Sequence, residues 1–142
     1  LRNRVQQVLR MAYAHAQMML YRPFLHYVSN CKSQNIDSRS YACASACVSV
    51  ARNIVHICVE MKKRGLLVGA YWFSMYTTFF AILSLVFFVL ENPDNPTSQG
   101  MIRDAHEGKE CLAQLAKRSM AADRCTATLT VSFSSCPLMD KC

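Results

Sequence analysis

An uncharged run from Gly65 to Leu90 (GLLVGAYWFSMYTTFFAILSLVFFVL) constrains this chain more than any other feature. No ionisable group lies between Arg64 and Glu91 except tyrosine hydroxyls. As a helix the run would extend about 39 Å, more than the roughly 30 Å hydrocarbon core of a bilayer. It is either a membrane span or a helix enclosed by protein. Its length excludes an ordinary strand, although it is rich in aromatic and β-branched residues. Glu91-Asn92-Pro93-Asp94-Asn95-Pro96 ends it.

The flanking segments read as amphipathic helices. Val5, Val8, Leu9, Ala12, Ala16, Met19 and Leu20 recur at three- and four-residue spacing, predicting an apolar packing face on a helix from Leu1 to Arg22. Pro23 ends it, because a proline pushes the preceding residue out of the α region. Ser29 to Ser40 is polar and turn-rich, a loop. A second helix starts near Ser38 or Ser40, either of which is a candidate cap. Its face is Ala44, Val48, Ala51, Ile54, Val55, Cys58 and Val59. Lys62, Lys63 and Arg64 sit in its last turn, where cations favour the dipole, and Gly65 suits the position just after it. The uncharged run is the third helix. A fourth, capped by Thr97 or Ser98, carries Ile102, Ala105, Leu112, Leu115, Ala116 and Ser119 on its apolar side. Gly108 interrupts it at a cost of about 1 kcal/mol relative to Ala. After Leu129 the residues TVSFSSCPLMDKC show no helical period. The expected architecture is all-α: about four helices around a very apolar central one.

The membrane reading has support. The run is long enough, Tyr71, Trp72 and Tyr76 suit an interface, and Lys62-Lys63-Arg64 would keep the preceding side in the cytoplasm. This alternative is a single-span protein with helix 66–90 in the bilayer. Against it, the aromatics are spread through the run instead of gathering at its ends. The amphipathic helices on both sides also need an apolar partner, which a core helix supplies.

Sixteen Lys and Arg against nine Asp and Glu give a net charge of +7. The surplus is scattered. Lys62-Lys63-Arg64 is too short for a nucleic-acid stripe, and Arg2, Arg4 and Arg10 form a looser group, so most of these charges read as solvated helix faces. Eight cysteines occur, at 31, 43, 47, 58, 111, 125, 136 and 142, with no C-x-x-C pair and no secretory leader in Leu1 to Arg10. They read as buried, reduced thiols packing as small hydrophobes.

Four segments together carry a family resemblance: AYAHAQMMLYRPFLHYVS (Ala12 to Ser29), ACASACVSVARNIVHICVEMKKRG (Ala42 to Gly65), GAYWFSMYTTFFAILSLVFFVLENP (Gly69 to Pro93) and DAHEGKECLAQLAKRSMAADRCTATL (Asp104 to Leu129). In that order and spacing they resemble the fungal-specific transcription factor domain, the middle homology or regulatory region of fungal Zn2Cys6 zinc-cluster transcription factors. The resemblance implies an all-α fold with the Gly69–Leu90 segment buried in protein and no membrane association. It implies a nuclear regulator of RNA polymerase II transcription whose DNA contacts and zinc belong to a separate N-terminal cluster. This chain lacks the paired cysteines of that cluster, so no zinc ligand, DNA-binding residue or cofactor is assigned within it. Residues 1–129 are read as part of the regulatory domain and 130–142 as a disordered tail outside the family pattern. The chain opens on Leu1 and is shorter than the family domain, so it is read as a fragment; a non-functional truncated product is the remaining alternative. Its own partners would be intramolecular or dimer contacts, with room for a small-molecule effector among Tyr71 to Phe88, Met75, Met61 and Met18.

The candidate chemical sites are weak. Cys43 and Cys47 share a helical face, but Cys47 to His56 is about 14 Å along one helix, too far for one metal ion with Cys58 as a further ligand. His15, His26, His56 and His106 show no catalytic spacing, and Cys58 lies nearly opposite His56 on its helix. Asp104, Glu107 and Glu110 read as a solvated helix face. No phosphate-binding loop or hydrolase motif occurs, so no catalytic residue is expected.

Overall fold

The computed structural model describes residues 2–29, 37–67, 72–116 and 119–135. The expected loop at Asn30–Ile36, Cys31, Tyr71, Cys136 and Cys142 lie outside them. Helix α1 (Arg2–Tyr21) is followed by a 3-10 turn (Arg22–Phe24) and a single helical turn, α2 (His26–Ser29). Then come α3 (Ser38–Lys63), α4 (Trp72–Glu91), α5 (Ser98–Ala116) and α6 (Met120–Ser134). No strand occurs among the described residues, and the fold is all-α.

Local chemistry sets most of the boundaries. The 3-10 turn carries Pro23 and closes α1. Asp37, not a serine, caps α3: its carboxylate accepts from the Arg39 amide at 3.2 Å. Lys62 and Lys63 occupy the last turn of α3, and Gly65 adopts φ +65° just beyond it, a conformation costly for any residue with a Cβ. Asn95 Oδ1 accepts from the Thr97 amide at 2.9 Å at the entrance to α5.

Two expectations about the second half are corrected. The fourth helix, expected to carry residues as far as Ser119, ends at Ala116, and a further helix starts at Met120. Ser119 is extended (φ −153°) and caps α6, its hydroxyl oxygen facing the Ala122 amide at 3.5 Å, instead of lying on an apolar helix face. Helical structure also continues past Leu129 to Ser134. Ala122, Cys125, Leu129 and Phe133 form its buried stripe. The hydroxyls of Thr126, Thr128, Thr130 and Ser132 each donate to the carbonyl four residues earlier, at 2.8–3.1 Å. Those bonds satisfy the hydroxyls but do not favour the helix; the buried stripe, packed on α5 and α4, holds this Thr- and Ser-rich sequence helical. Phe133 is held by α5, with His106 edge-on at 4.8 Å and Lys109 Nζ 4.8 Å from its ring centroid.

Helix α3 packs on α1, α4 and α5, and α4 packs on α3, α5 and α6. The interior is built from Ala44, Cys47, Ala51, Ile54 and Val55 of α3, Ala81, Ile82, Leu85 and Val89 of α4, and Ile102, Ala105 and Leu112 of α5. Gly108 has a packing reason. A Cβ there would lie 2.9 Å from Ile82 Cδ1 and 3.3 Å from Val55 Cγ1, so glycine lets α5 sit close on α3 and α4. Both α3 and α4 are long and apolar enough to cross a membrane by length and composition, but most of α4 is buried against its neighbours. The centre is therefore shared: α3 and α4 cross the interior together, and α4 keeps one side incompletely covered.

Helix α1 departs from its expected orientation. The face predicted to pack is the outward one: Val5, Leu9, Ala12, Ala16, Met19 and Leu20 are exposed, and Val8 is half-buried. The buried stripe is Gln7, Met11, Ala14 and Met18.

Candidate binding groove

The uncovered side of α4 forms the floor of an open groove of about 880 Å³, within the size range of ligand sites. Phe80, Leu83, Phe87 and Leu90 line it from α4, Met19 from the end of α1, Arg22 and Pro23 from the 3-10 corner, and Val131 from α6. These residues recur at three- and four-residue spacing along α4, which brings them to one side of the helix. The polar groups of the walls are largely committed. Ser84, Ser132 and Ser135 donate to carbonyls of their own helices at 2.9, 3.1 and 3.1 Å. Among the described residues the rim carries Arg22 and His26 and no carboxylate. The Arg22 guanidinium stands over the Phe80 ring, 5.2 Å from its centroid, a contact worth about 0.5–1 kcal/mol at an exposed site. Such a groove offers apolar walls and positive charge. Among the described residues that line it there is no carboxylate pair, and each wall serine donates to a carbonyl of its own helix.

The expected effector region is thereby divided. Phe80 and Phe87 of the aromatic run reach the groove, whereas Met75, Met61 and Met18 are core residues. The groove itself was not legible as a site, because Arg22 and Val131 are brought to α4 only by the tertiary fold.

The polar residues singled out in the sequence lie apart from it. Asp104 is buried, not on a solvated face, while Glu107 and Glu110 are exposed. Arg52 Nε donates to Asp104 Oδ2 at 2.6 Å, and His56 Nε2 lies 3.7 Å from the same oxygen. This cluster joins α3 to α5; a buried carboxylate needs such a partner. His15 meets Phe73 edge-on at 5.3 Å, His106 meets Phe133, and His26 stacks near Tyr27 at 4.1 Å, so the four histidines converge on no centre.

Among the described residues Cys47, Cys58, Cys111 and Cys125 are core groups and Cys43 is half-buried. Burial pushes Cys47 up from 9.0 to about 11, opposed by the charge of Arg22, and burial also raises Cys125. Cys58 is raised by its hydrogen bond to Cys111 and by burial, which ties α3 to α5 through a thiol pair. Cys43, Cys47, Cys58, Cys111 and Cys125 are all free thiols. Among the described residues no three His, Cys, Asp or Glu side chains are placed to hold a metal ion. A two-zinc cluster needs six thiolates, and these residues do not fit one.

No protein-family model matches the chain, and no solved structure matches it. Three fungal proteins do. Activator of stress genes 1 of Saccharomyces cerevisiae is 36% identical over 128 residues, covering 86% of this chain and 13% of that protein. Activator of stress genes protein 1 of Candida albicans is 39% identical over 93 residues, covering 65% of this chain and 9% of that protein. A Saccharomyces cerevisiae protein provisionally named a transcriptional regulatory protein is 31% identical over 142 residues, covering 90% of this chain and 18% of its own length. The chain thus spans less than a fifth of each of these relatives, two of which are named as activators and one as a transcriptional regulator.

Proposed function

We propose that this chain is a segment of the helical regulatory domain of a fungal zinc-cluster transcription factor. It acts in the nucleus on RNA polymerase II transcription through protein contacts and does not touch DNA itself. The observation that carries this reading is the similarity, over most of the chain, to fungal proteins named as activators and a transcriptional regulator. The four-segment resemblance supports the finer assignment. DNA contact and zinc would belong to a cluster outside these residues, since the sequence has no C-x-x-C pair and the described thiols do not gather at one site. The all-α fold with most of α4 buried favours a protein-enclosed helix over a single membrane span.

The test uses the full-length parent protein. Deleting the segment equivalent to residues 1–129 is expected to change reporter transcription severalfold while leaving DNA binding intact in a gel-shift assay. Unchanged transcription, or loss of DNA binding by the purified protein, would overturn the proposal. A fluorescent fusion of the parent should concentrate in the nucleus; retention in an alkali-resistant membrane fraction would instead select the single-span reading.

A further inference from the structure

We infer that Cys58 of α3 and Cys111 of α5 are a modification site: hydrogen peroxide oxidises them to a reversible disulfide between the two helices. Helices α3 and α5 lie side by side in one register. Arg52 Nε meets Asp104 Oδ2 at 2.6 Å, and a Cβ at Gly108 would lie 3.3 Å from Val55 Cγ1. One turn further along both helices come Cys58 and Cys111, on the same two faces, because residues three and four apart share a side. The two thiols hydrogen-bond to each other there. Glycine at 108 holds the backbones close at the neighbouring rung, as a disulfide requires, since its Cα atoms lie within about 7 Å of each other.

The two sulfurs have different roles. The hydrogen bond with Cys58 holds the Cys111 thiol below its ordinary value, against burial, with Lys62 assisting and Glu107 and Glu110 opposing. Cys111 is thus the nucleophile and Cys58 the resolving thiol. Each is only 1% exposed, so the oxidant must be small. Cys111 lies near Ala116, the end of α5, and helix ends open most readily. The Cys111 thiolate attacks one peroxide oxygen. The O–O bond breaks, and the leaving hydroxide takes up the proton that the thiol released. A sulfenic acid remains on Cys111. The Cys58 sulfur then displaces its hydroxyl: the S–O bond breaks, the S–S bond forms, and the Cys58 proton leaves with the hydroxide as water. Two thiols are oxidised, one peroxide is reduced and two waters result. This chemistry is independent of the transcriptional reading, and its test reads bonds and not gene expression.

The purified 142-residue chain is treated with hydrogen peroxide, alkylated under denaturing conditions, digested with trypsin without reductant and mapped by mass. Tryptic peptides 53–62 and 110–117 hold one cysteine each, Cys58 and Cys111. They are expected to appear joined, as the first cysteine product, and to separate on treatment with dithiothreitol. The joined chain should keep its helical circular dichroism. Peroxide treatment of the chain unfolded in urea should give this link in severalfold lower yield. In Cys58→Ala, Cys111 should instead carry oxygenated sulfur. The map of the unaltered chain decides the matter even where that variant fails to fold. Cys58 and Cys111 remaining thiols while other cysteines oxidise, or joining other cysteines more than each other, would overturn the inference. So would an equal yield from the unfolded chain, or a link that forms only as the helices melt.

Discussion

Helices α1 and α4 have the same length, twenty residues, and handle apolar surface in opposite ways. Helix α4 is apolar on every side and turns Ala81, Ile82, Leu85 and Val89 into the core, leaving Phe80, Leu83 and Phe87 half-covered at the groove. Helix α1 has a clear apolar stripe and turns it outward. Its inner face holds Met11, Ala14, Met18 and even Gln7. Regular apolar spacing therefore marks a face that suits a partner, but it does not say whether that partner belongs to the same core. In α1 the buried stripe is made of small or flexible side chains, which settle against α3 more closely than branched ones would.

The largest effects should come from the α4 side. Gly108→Leu would drive a branched side chain into Ile82 and Val55, whose nearest atoms already lie at 2.9 and 3.3 Å from a Cβ position. We expect a loss of about 3 kcal/mol or more, read as a lowered midpoint in urea unfolding. Leu85→Ala, at a fully buried site, should cost about 3–4 kcal/mol. A loss below about 1 kcal/mol for both would mean that α5 does not seat on α4 as described.

Next comes the inner face of α1. Met11→Ala should cost about 2–3 kcal/mol, because Met11 is fully buried. Were the stripe of Val5, Leu9 and Ala12 the packed one, Met11→Ala would be nearly neutral. The sign of the comparison between the two faces of α1 thus rests on this single measurement.

The thiol of Cys47 tests how dry α3 is near the corner that ends α1. Its protonated form is favoured in the fold, up from 9.0 to about 11. Below pH 9 both folded and unfolded chains hold the proton and nothing is lost. Between pH 9 and pH 11 the unfolded chain ionises first, so stability should fall with rising pH, by roughly 2 kcal/mol for this group. Cys125 is shifted in the same direction and adds to the fall, whereas Cys58 is raised and its partner Cys111 lowered by their shared hydrogen bond, so that pair pulls both ways. Urea midpoints at pH 8.5 and 10.5 should therefore converge for the Cys47→Ala variant relative to the parent chain. An identical drop in both would show that water reaches Cys47.

Much of the fold was legible because it is written locally. Pro23, the Lys62-Lys63-Gly65 ending and the Pro93–Pro96 stop each mark a boundary within a few residues of sequence. The all-α class followed from period and length. What was not legible depends on residues far apart. Asp104 looks like a surface carboxylate until Arg52, fifty-two positions earlier, is placed against it. Gly108 looks like a helix defect until Ile82 and Val55 arrive. Ser119 looks like one more helical residue because its capping role appears only when the backbone turns extended there. The groove has the same character, since its walls come from α1, the 3-10 corner, α4 and α6.

The smallest expected effect is the most informative about α1. Leu9→Ser removes a large apolar side chain, yet Leu9 is 64% exposed and belongs to no buried cluster. Its stability change should stay within about 0.5 kcal/mol, the range of surface substitutions, and serine's lower helical propensity accounts for most of it. Met11, two positions on, is expected to cost several times more. That contrast follows from geometry: two residues apart on a helix point to nearly opposite sides. A loss of 2 kcal/mol at Leu9 would place the outer stripe inside a folded interface even in the isolated chain. A negligible loss leaves the outer stripe facing solvent, with the packing of α1 resting on Met11, Ala14 and Met18.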